Sequence, residues 1–325
     1  MKCTNKIIIF LISVSVMAGF SGCGKLAYKN AYSPKLNISA FDIIGDSSHV
    51  FADSFASPLV VDEGDICPES VDMSEAGAAC LYSLEDRSVL YSKNANLKMY
   101  PASLTKVMTA LVALKYGTPD QVLKATNVVN VTESGATLIG LKAGDTMTLD
   151  QALHVLLINS SNDAALLIAD CIGGSVDGFV ELMNEEAKRI GATNTNFCNP
   201  NGLTDENHYT TAYDLYLILN EALKYEEFKE IIPMTSYETV YYDSNGKEKN
   251  VSISTTNQYL KGVYQAPDGV TVIGGKTGTT NAAGHCLILY LKDDYGASYI
   301  SVILSSSSRE KIYEEMSDML SLVKK

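Results

Sequence analysis

Tryptophan is absent from this chain of 325 residues, and basic residues are scarce: 25 Lys and Arg stand against 38 Asp and Glu. The formal net charge is −13, and the basic residues form no block. Nucleic acid is therefore excluded as an expected partner, because neutralising phosphates needs clustered positive charge. Hydrophobic residues make up 46% of the chain and charged residues 19%. This balance is globular and excludes wholesale disorder.

Metal-ligand and disulfide patterns are missing as well. The chain has seven cysteines but no Cys-x-x-Cys pair, and none of its four histidines lies at ligand spacing from a cysteine. We therefore expect no metal and no cofactor. Five cysteines remain after Cys3 and Cys23, and we expect them to behave as small buried hydrophobes. The sequence leaves open whether one pair is oxidised outside the cell.

A long hydrophobic run is also lacking. The apolar stretch from Ile7 to Phe20 has 14 residues, too few to cross a hydrocarbon core of about 30 Å as a helix. With Lys2 and Lys6 before it, this stretch predicts a secretory signal over residues 1–22. The segment Phe-Ser-Gly-Cys that ends at Cys23 resembles a bacterial lipoprotein signal. We expect export and a lipid at Cys23 that anchors the protein to the outer face of the membrane; an ordinary cleaved signal is the alternative.

The rest of the chain divides into a linker and one folded domain. Residues 23–75 mix Pro, Ser, Asp and Gly with short apolar runs and predict a linker. Residues 76–325 begin with two strand-like runs, continue with helical periodicity, and end with three strand-like runs and an amphipathic helix. We predict an α+β fold, in which both ends of the domain form an antiparallel sheet of about five strands around a large helical insertion.

Ser103 and Lys106 form the first candidate for chemistry. They lie three residues apart at a predicted helix start, so they face the same side and the amine can reach the hydroxyl. A serine hydroxyl needs a base to act as a nucleophile, and a lysine of lowered pKa can serve. A bare Ser-x-x-Lys pattern is weak, since Ser244 to Lys247 matches it too. The alternative is that Ser103 only caps the helix.

Two further elements follow along the chain. Ser160 and Asn162 fall between two helical runs, where they could either cap a helix or supply a hydroxyl and an amide to a ligand. Lys276 and Thr277 lie in a glycine-rich strand whose bare backbone suits an extended ligand paired with its edge. Thr279 would offer a backbone N–H there. A lysine in such a strand is otherwise a solvated edge charge.

The three elements together resemble those of the active-site serine penicillin-recognising enzymes. The surrounding stretches PASLTKVMTA, LLINSSNDAALLIAD, NPNGLTDENHYTTAYDL and GGKTGTTNAAGHCL are similar to those of D-alanyl-D-alanine carboxypeptidases, the low-molecular-mass penicillin-binding proteins. The resemblance runs from about residue 76 to the C-terminus. It implies a β-lactamase/transpeptidase-like fold.

The resemblance also implies a reaction and a substrate. Such an enzyme removes the terminal D-alanine of peptidoglycan stem peptides that end in D-Ala-D-Ala, through an acyl-enzyme, and β-lactam antibiotics inhibit it. It assigns Ser103 as nucleophile, Lys106 as base and Ser160 as a proton relay. It further assigns the binding of substrate to a set of four residues: Asn162, Lys276, Thr277 and Thr279.

Two alternatives remain open. A class A β-lactamase shares the fold but needs a deacylating glutamate, and the nearest match to that pattern, Glu181 to Asn184, is one residue short and lies in a predicted helix. A penicillin sensor or wall-binding lipoprotein would keep the fold without turnover. Release of D-alanine from a peptide distinguishes these alternatives from a carboxypeptidase.

Overall fold

The computed structural model describes residues 58–323, in which nine strands and seven helices are formed. The strands are β1 (Ala78–Ser83), β2 (Ser88–Lys93), β3 (Val122–Lys124), β4 (Thr146–Thr148), β5 (Ser236–Tyr242), β6 (Glu248–Ser254), β7 (Val270–Thr280), β8 (Gly284–Asp293) and β9 (Ser298–Ser306). The helices are α1 (Thr105–Tyr116), α2 (Leu149–Ile158), α3 (Asn162–Gly173), α4 (Val176–Arg189), α5 (Ala212–Ala222), α6 (Glu226–Ile231) and α7 (Arg309–Leu320).

The main sheet has the strand order β2-β1-β9-β8-β7, with every neighbouring pair antiparallel. It joins strands from the two ends of the domain, which confirms the predicted architecture. Both of its faces are covered. Ile300 and Val302 belong to the core that the helical body completes, whereas Ile303 belongs to a second core shared with α7. The predicted apolar stripe of α7, including Met316 and Met319, is buried in that second core.

Helix α1 lies at the centre of the helical body. Every residue from Thr105 to Ala113 is buried, and the helix packs against α2, α3, α4 and α5. A helix that is buried on all sides is held by its neighbours rather than by its intrinsic propensity. The residues just before and within its first turn are therefore fixed in position by the core.

A second sheet has the order β3-β4-β5-β6. Strands β5 and β6 form a hairpin, and the carboxylate of Asp243 accepts hydrogen bonds from the backbone of Asn245 and Lys247 in its turn. Gly246 adopts a φ of +76°, the left-handed conformation that a tight turn requires. Strands β3 and β4 have three residues each, too short to give the periodic pattern from which a strand is predicted.

Residues 58–75 pack against the domain, although the sequence predicts a linker there. Val60 is buried in the main core, its N–H donates to the Tyr216 hydroxyl at 2.9 Å, and its carbonyl accepts from Tyr213 at 2.8 Å. Farther along, Ile66 pairs with Ser92 of β2. The packed part of the chain therefore begins before the predicted boundary at residue 76. The short apolar runs among Pro, Ser, Asp and Gly in this segment show no periodicity that would have predicted the packing.

The predicted signal segment 1–22 and Cys23 lie outside the described residues. Within residues 58–323, the structure contains no helix with the length and apolar character needed to cross a bilayer.

We predict that Tyr216→Phe lowers the free energy of unfolding by about 1–3 kcal/mol, because it leaves the buried Val60 N–H without its acceptor. Urea denaturation measures the change. The matched control is Tyr295→Phe at a side chain that is 82% exposed, which should shift the free energy by less than about 0.5 kcal/mol. Equal effects of the two substitutions would show that this hydrogen bond does not stabilise the packing of residues 58–75.

Candidate active site

Ser103 lies in a 3₁₀ turn, Ala102–Leu104, that leads directly into α1. It is therefore inside the turn, and Pro101 takes the capping position. Ala102 next to it has a φ of +48°, a conformation that costs energy for a residue with a side chain and is often found at functional sites. The Ser103 hydroxyl is directed toward Lys106, whose Nζ lies 2.9 Å from Ser103 Oγ. The two side chains therefore lie within hydrogen-bond distance of each other.

The Lys106 amine is enclosed by three oxygen atoms. Besides Ser103 Oγ, it donates to Asn162 Oδ1 at 2.9 Å and to the Asn201 carbonyl at 2.6 Å. The amide of Asn162 is oriented by a second contact, since its Nδ2 donates to the Thr137 carbonyl at 3.1 Å. Asn162 Oδ1 and the Asn201 carbonyl can only accept.

Burial lowers the pKa of Lys106 well below its ordinary value of 10.5, and the nearby cation Lys276 lowers it further, against an opposing effect of Asp163. The residue has no exposed surface, so the ammonium form loses its hydration. A neutral amine has two hydrogens and one lone pair. In that form both hydrogens would go to the two neighbours that only accept, Asn162 Oδ1 and the Asn201 carbonyl, and the lone pair would face the hydroxyl hydrogen of Ser103.

Ser160 lies in the connection between α2 and α3, in a left-handed backbone conformation with a φ of +68°. It is buried and lines the same cavity as Ser103. Ser161 takes the N-cap position of α3, but its hydroxyl donates to Asn159 Oδ1. The connection therefore holds Ser160 toward the cavity while Asn162, the first residue of α3, holds Lys106.

Strand β7 forms the opposite wall of the site, at the edge of the main sheet. Gly278 allows it to approach the turn before α1: a Cβ at this position would lie 2.9 Å from the backbone nitrogen of Ser103. Thr277 and Thr279 line the cavity on either side of this glycine. The Thr277 hydroxyl lies 2.6 Å from that of Thr256, so the loop after β6 supports this wall.

Lys276 is 2% exposed, and its Nζ donates to the carbonyl of Thr277 at 2.7 Å. Burial lowers the pKa of Lys276 from its ordinary 10.5 to about 7. The structure therefore buries two lysine amines behind one cavity, rather than exposing Lys276 as a solvated edge charge.

A second close approach involves the loop after α4, for which the sequence gave no specific role. Gly202 has a φ of +82°, and a Cβ there would lie 1.9 Å from the carbonyl oxygen of Ala102. Only glycine fits this position. The loop thereby brings the Asn201 carbonyl to Lys106. The Asn-Pro-Asn-Gly sequence of residues 199–202 was the available signal, since such residues mark a specific turn.

The cavity in front of Ser103 has a volume of about 410 Å³. Its walls bring together four of the predicted residues, Ser103, Ser160, Thr277 and Thr279, while the other three, Lys106, Asn162 and Lys276, are buried behind them. Two further cations, Lys261 and Arg309, also line it, and sequence reasoning had not identified Lys261. Among the described residues, the lining contains no carboxylic acid. An acidic chain thus has a positively charged cavity, which suits an anionic ligand.

His208 supports the site from behind. Its ring is buried, and its Nδ1 accepts from the Cys198 N–H at 3.1 Å, so its Nε2 carries the hydrogen that is donated to Thr105 Oγ1 at 2.9 Å. Burial lowers the pKa of His208 to about 4, and the neutral ring ties the loop to the first turn of α1. Within residues 58–323, no cluster of three or more His, Cys, Asp or Glu side chains is arranged to hold a metal ion.

The sequence is similar to those of known proteins. The family described as D-alanyl-D-alanine carboxypeptidase, peptidase family S11, matches residues 67–308. The chain is 34% identical to the D-alanyl-D-alanine carboxypeptidase DacF of Bacillus subtilis over 252 residues, which cover 76% of this chain and 61% of DacF. It is 30% identical to a D-alanyl-D-alanine endopeptidase of Escherichia coli, covering 79% of this chain and 78% of that protein.

The fold is shared with a solved structure as well. The crystal structure of a Streptomyces DD-transpeptidase superposes with a TM-score of 0.71 at 25% sequence identity, covering 78% of this chain and 98% of that one. The chain spans 61% and 64% of the length of two carboxypeptidases that it matches, DacF and the DacC of Escherichia coli. The chain belongs to the D-alanyl-D-alanine carboxypeptidase family of peptidase S11.

The lowered pKa of Lys276 predicts a pH-dependent stability. Between pH 7 and about 10.5 the unfolded chain binds a proton at this amine that the folded chain has lost, so the free energy of unfolding rises with pH. Below pH 7 the amine is protonated in both the folded and the unfolded chain, so burial of the ammonium lowers the free energy of unfolding by its full amount. Lys276→Met cannot titrate, so its stability relative to wild type should fall by roughly 2–3 kcal/mol between pH 7 and pH 9.5.

Urea denaturation of both proteins at the two pH values gives this difference. The variant also loses the hydrogen bond to the Thr277 carbonyl. This loss changes its free energy of unfolding by the same amount at both pH values, so it cancels when the two pH values are compared. The matched control is Lys188→Met on the exposed face of α4, for which we expect no change with pH. If the free energies of unfolding of Lys276→Met and wild type differ by the same amount at both pH values, the burial of a neutral amine is contradicted.

Proposed function

We propose that this protein is a serine-type D-Ala-D-Ala carboxypeptidase, which removes the terminal D-alanine from peptidoglycan stem peptides through an acyl-enzyme. The observation that carries the proposal is the position of Ser103 Oγ, 2.9 Å from the buried amine of Lys106 and on the wall of a cationic cavity. The family of the chain supports the same reaction.

In the first step, Lys106 accepts the hydroxyl proton of Ser103 as its Oγ attacks the carbonyl carbon between the two D-alanines. The carbonyl oxygen becomes an oxyanion, for which the backbone N–H groups of Ser103 and Thr279 are the proposed donors. One such donor typically contributes about 2.7–4 kcal/mol to the stability of the transition state. The close contact at Gly278 supports this pairing, because it sets β7 beside the Ser103 backbone.

In the second step, the C–N bond breaks and the departing amine takes a proton. We assign the relay of this proton from Lys106 to the hydroxyl of Ser160, which lines the cavity. D-Alanine leaves, and a water molecule, giving its proton to the same base, hydrolyses the ester of Ser103. The products are the shortened peptide and the free serine.

The terminal carboxylate of the substrate is assigned to the cationic part of the cavity, with Lys276 behind it and Thr277 and Arg309 on its wall. Asn162 was expected to hold the substrate backbone. In the free chain both ends of its amide are engaged, by Lys106 and by the Thr137 carbonyl. We propose that Asn162 orients Lys106 and that its Nδ2 can leave Thr137 to bind the substrate.

We propose that β-lactam antibiotics acylate Ser103 and that the resulting acyl-enzyme is hydrolysed slowly. A β-lactamase of class A would need a glutamate beside the ester, whereas the cavity lining contains no carboxylic acid among the described residues. Glu181 lies on the exposed side of α4, and Asn184 is used elsewhere, since it binds the backbone of Phe197 through both ends of its amide. The complete set of active-site residues argues against a sensor without turnover.

The family acts on the cell wall, which lies outside the membrane, so the protein is exported. We further propose that the anchor is a lipid on Cys23, that residues 1–22 are removed as a signal, and that the segment following Cys23 links the lipid to the packed residues from Pro58 onward. The lipoprotein-like segment that ends at Cys23 supports this assignment.

We predict that Ser103→Ala abolishes both labelling by penicillin and the release of D-alanine from a peptide ending in D-Ala-D-Ala, without unfolding the protein. Lys106→Ala should lower both rates by at least about 100-fold, because the base is lost. Mass spectrometry of the acyl-protein and an assay for free D-alanine give the two rates. The matched control is Ser244→Ala, at a second Ser-x-x-Lys pattern in the β5–β6 turn, which should behave as wild type.

Residual labelling of Ser103→Ala would show that the nucleophile is another residue. Acylation of wild type without any release of D-alanine would favour the sensor, and rapid turnover of penicillin would favour the β-lactamase.

We predict that Cys23→Ser prevents lipid attachment. When the full chain is expressed in a bacterium fed with a tagged fatty acid, wild type should incorporate the tag and sediment with membranes, and Cys23→Ser should do neither. Cys67→Ser, at an exposed free thiol of the folded part, is the control that should retain the tag. Tag incorporation by Cys23→Ser would contradict the assignment.

A further inference from the structure

A buried carboxylate beside the site has no role in the proposed reaction. Asp163 follows Asn162 in the first turn of α3 and is 1% exposed. Among the described residues, no lysine, arginine or histidine forms an ion pair with it. Burying a carboxylate in this way is costly unless hydrogen bonds replace its hydration. The groups that supply these hydrogen bonds show which part of the molecule Asp163 holds.

Four backbone N–H groups donate to this carboxylate. Its Oδ1 accepts from Ile139 at 3.2 Å and from Ala164 at 3.0 Å. Its Oδ2 accepts from Gly140 at 2.8 Å and from Leu141 at 3.0 Å. Three of the donors are consecutive residues of one loop, and with Gly140 at a φ of +87° they form a concave anion site. Asp163 thus fixes the backbone of this loop.

The loop that Asp163 holds spans residues 133–141 and forms one wall of the cavity of about 410 Å³, which Gly135 and Thr137 line. The Thr137 carbonyl accepts twice from Asn162, from its backbone N–H at 2.8 Å and from its Nδ2 at 3.1 Å. One residue separates Thr137 from the N–H groups that the carboxylate binds. The contacts of Asp163 therefore set the place where this carbonyl meets the Asn162 amide.

The same amide holds the proposed base. Asn162 Oδ1 lies 2.9 Å from Lys106 Nζ, so a displacement of the loop reaches the amine through one side chain. When Asn162 Nδ2 leaves the Thr137 carbonyl to bind substrate in the proposed reaction, the backbone N–H of Asn162 and the contacts of Asp163 still hold the loop. The carboxylate thereby keeps the amine in place while the substrate binds.

The negative charge of Asp163 also acts on the amine. Burial and the cation Lys276 on β7 lower the pKa of Lys106, whereas Asp163 on α3 raises it. When Lys106 takes the proton of Ser103, an ammonium forms beside Lys276 without hydration, and a nearby anion favours that form. Asp163 also acts on Tyr241 of β5, but burial is the main cause of the raised pKa of Tyr241, which stays mostly uncharged below pH 10.

We infer that Asp163 is a positioning residue for this reaction. It fixes the loop that orients Asn162, and its charge stabilises the ammonium that Lys106 becomes when it takes the proton of Ser103. This role rests on the proposed function, because both parts of it concern that proton. Asp163 acts through Asn162 and Lys106 and does not line the cavity that receives the substrate.

Asp163→Asn removes the charge and leaves one side-chain oxygen for the loop. We expect kcat for D-alanine release from a D-Ala-D-Ala peptide to fall about 10- to 100-fold, since a misplaced catalytic group can cost a factor of about 100. KM should stay within about twofold of wild type, because the binding surface is unchanged. The rates are compared on the high-pH plateau of each pH profile, where the amine is neutral. Penicillin labelling carried to completion counts the active protein, so a misfolded fraction does not enter kcat.

The titration of Lys106 separates this role from a merely structural one. A loosened loop alone would let water reach the amine and raise the midpoint of its ¹³Cε resonance, whereas loss of a nearby negative charge lowers that midpoint. We expect the midpoint of Asp163→Asn to lie below that of wild type. The matched control is Asp170→Asn, the same substitution two turns later in α3, where the carboxylate accepts from Thr126 Oγ1 at 2.7 Å. It should keep the kcat and the midpoint of wild type.

A second variant, Gly140→Ala, perturbs the loop and keeps the carboxylate. A Cβ at Gly140 would meet no atom within 4 Å, so the substitution acts through the strain of a left-handed backbone. We expect kcat to fall about three- to tenfold with KM unchanged, because the loop shifts the amide that holds Lys106. The matched control is Gly246→Ala in the β5–β6 turn, which has a φ of +76° and equally open space and should keep the wild-type kcat.

A wild-type kcat in Asp163→Asn, or a Lys106 midpoint that is unchanged or higher in this variant, would overturn the positioning role and leave the proposed reaction standing. If Asp163→Asn does not fold, equal kcat values of Gly140→Ala and Gly246→Ala would overturn the role instead. If wild type neither releases D-alanine nor is labelled by penicillin, the proposed function fails, and the positioning role fails with it.

Discussion

The structure depends on one buried amine. Lys106 is fixed between Ser103 Oγ, Asn162 Oδ1 and the Asn201 carbonyl, which come from three separate stretches of the chain. An ammonium at this place would lose its hydration beside a second buried lysine, and both effects favour the neutral form. Two neighbours that only accept hydrogen bonds then leave the lone pair for the hydroxyl of Ser103. Burial and acceptor geometry thus prepare the proposed nucleophile and its proposed base.

Close backbone contacts make this enclosure possible. Helix α1 is buried on all sides from Thr105 to Ala113, so the turn that holds Ser103 is fixed in position and other segments must approach it. Gly202 approaches the Ala102 carbonyl, and Gly278 approaches the Ser103 nitrogen. Both contacts exclude a Cβ. They bring the Asn201 carbonyl to the Lys106 amine and the edge of β7 to Ser103, so the same core packing positions the proposed base and the proposed ligand-binding edge.

Much of this arrangement could be predicted from the sequence. Helical periodicity and strand-like runs gave the two-ended sheet and its helical insertion, and the three short motifs gave the residues that the structure brings together around one cavity. The role of Asn201 could not be predicted, because it acts through a backbone carbonyl that every residue has. Val60 and Ile66 lie in a segment with linker composition, and their packing depends on partners such as Tyr216 and Ser92 that are distant in sequence. Strands β3 and β4 are too short to leave a periodic pattern.

The state of the Lys106 amine is the central claim, and its titration tests that claim most directly. The ¹³Cε resonance of Lys106 in protein labelled at lysine can be assigned by its loss in Lys106→Met and followed as a function of pH. The account predicts a midpoint well below 10.5, the ordinary value for lysine. A midpoint at or above 10.5 would mean that the amine stays charged at neutral pH and cannot accept the proton of Ser103, which would contradict the account.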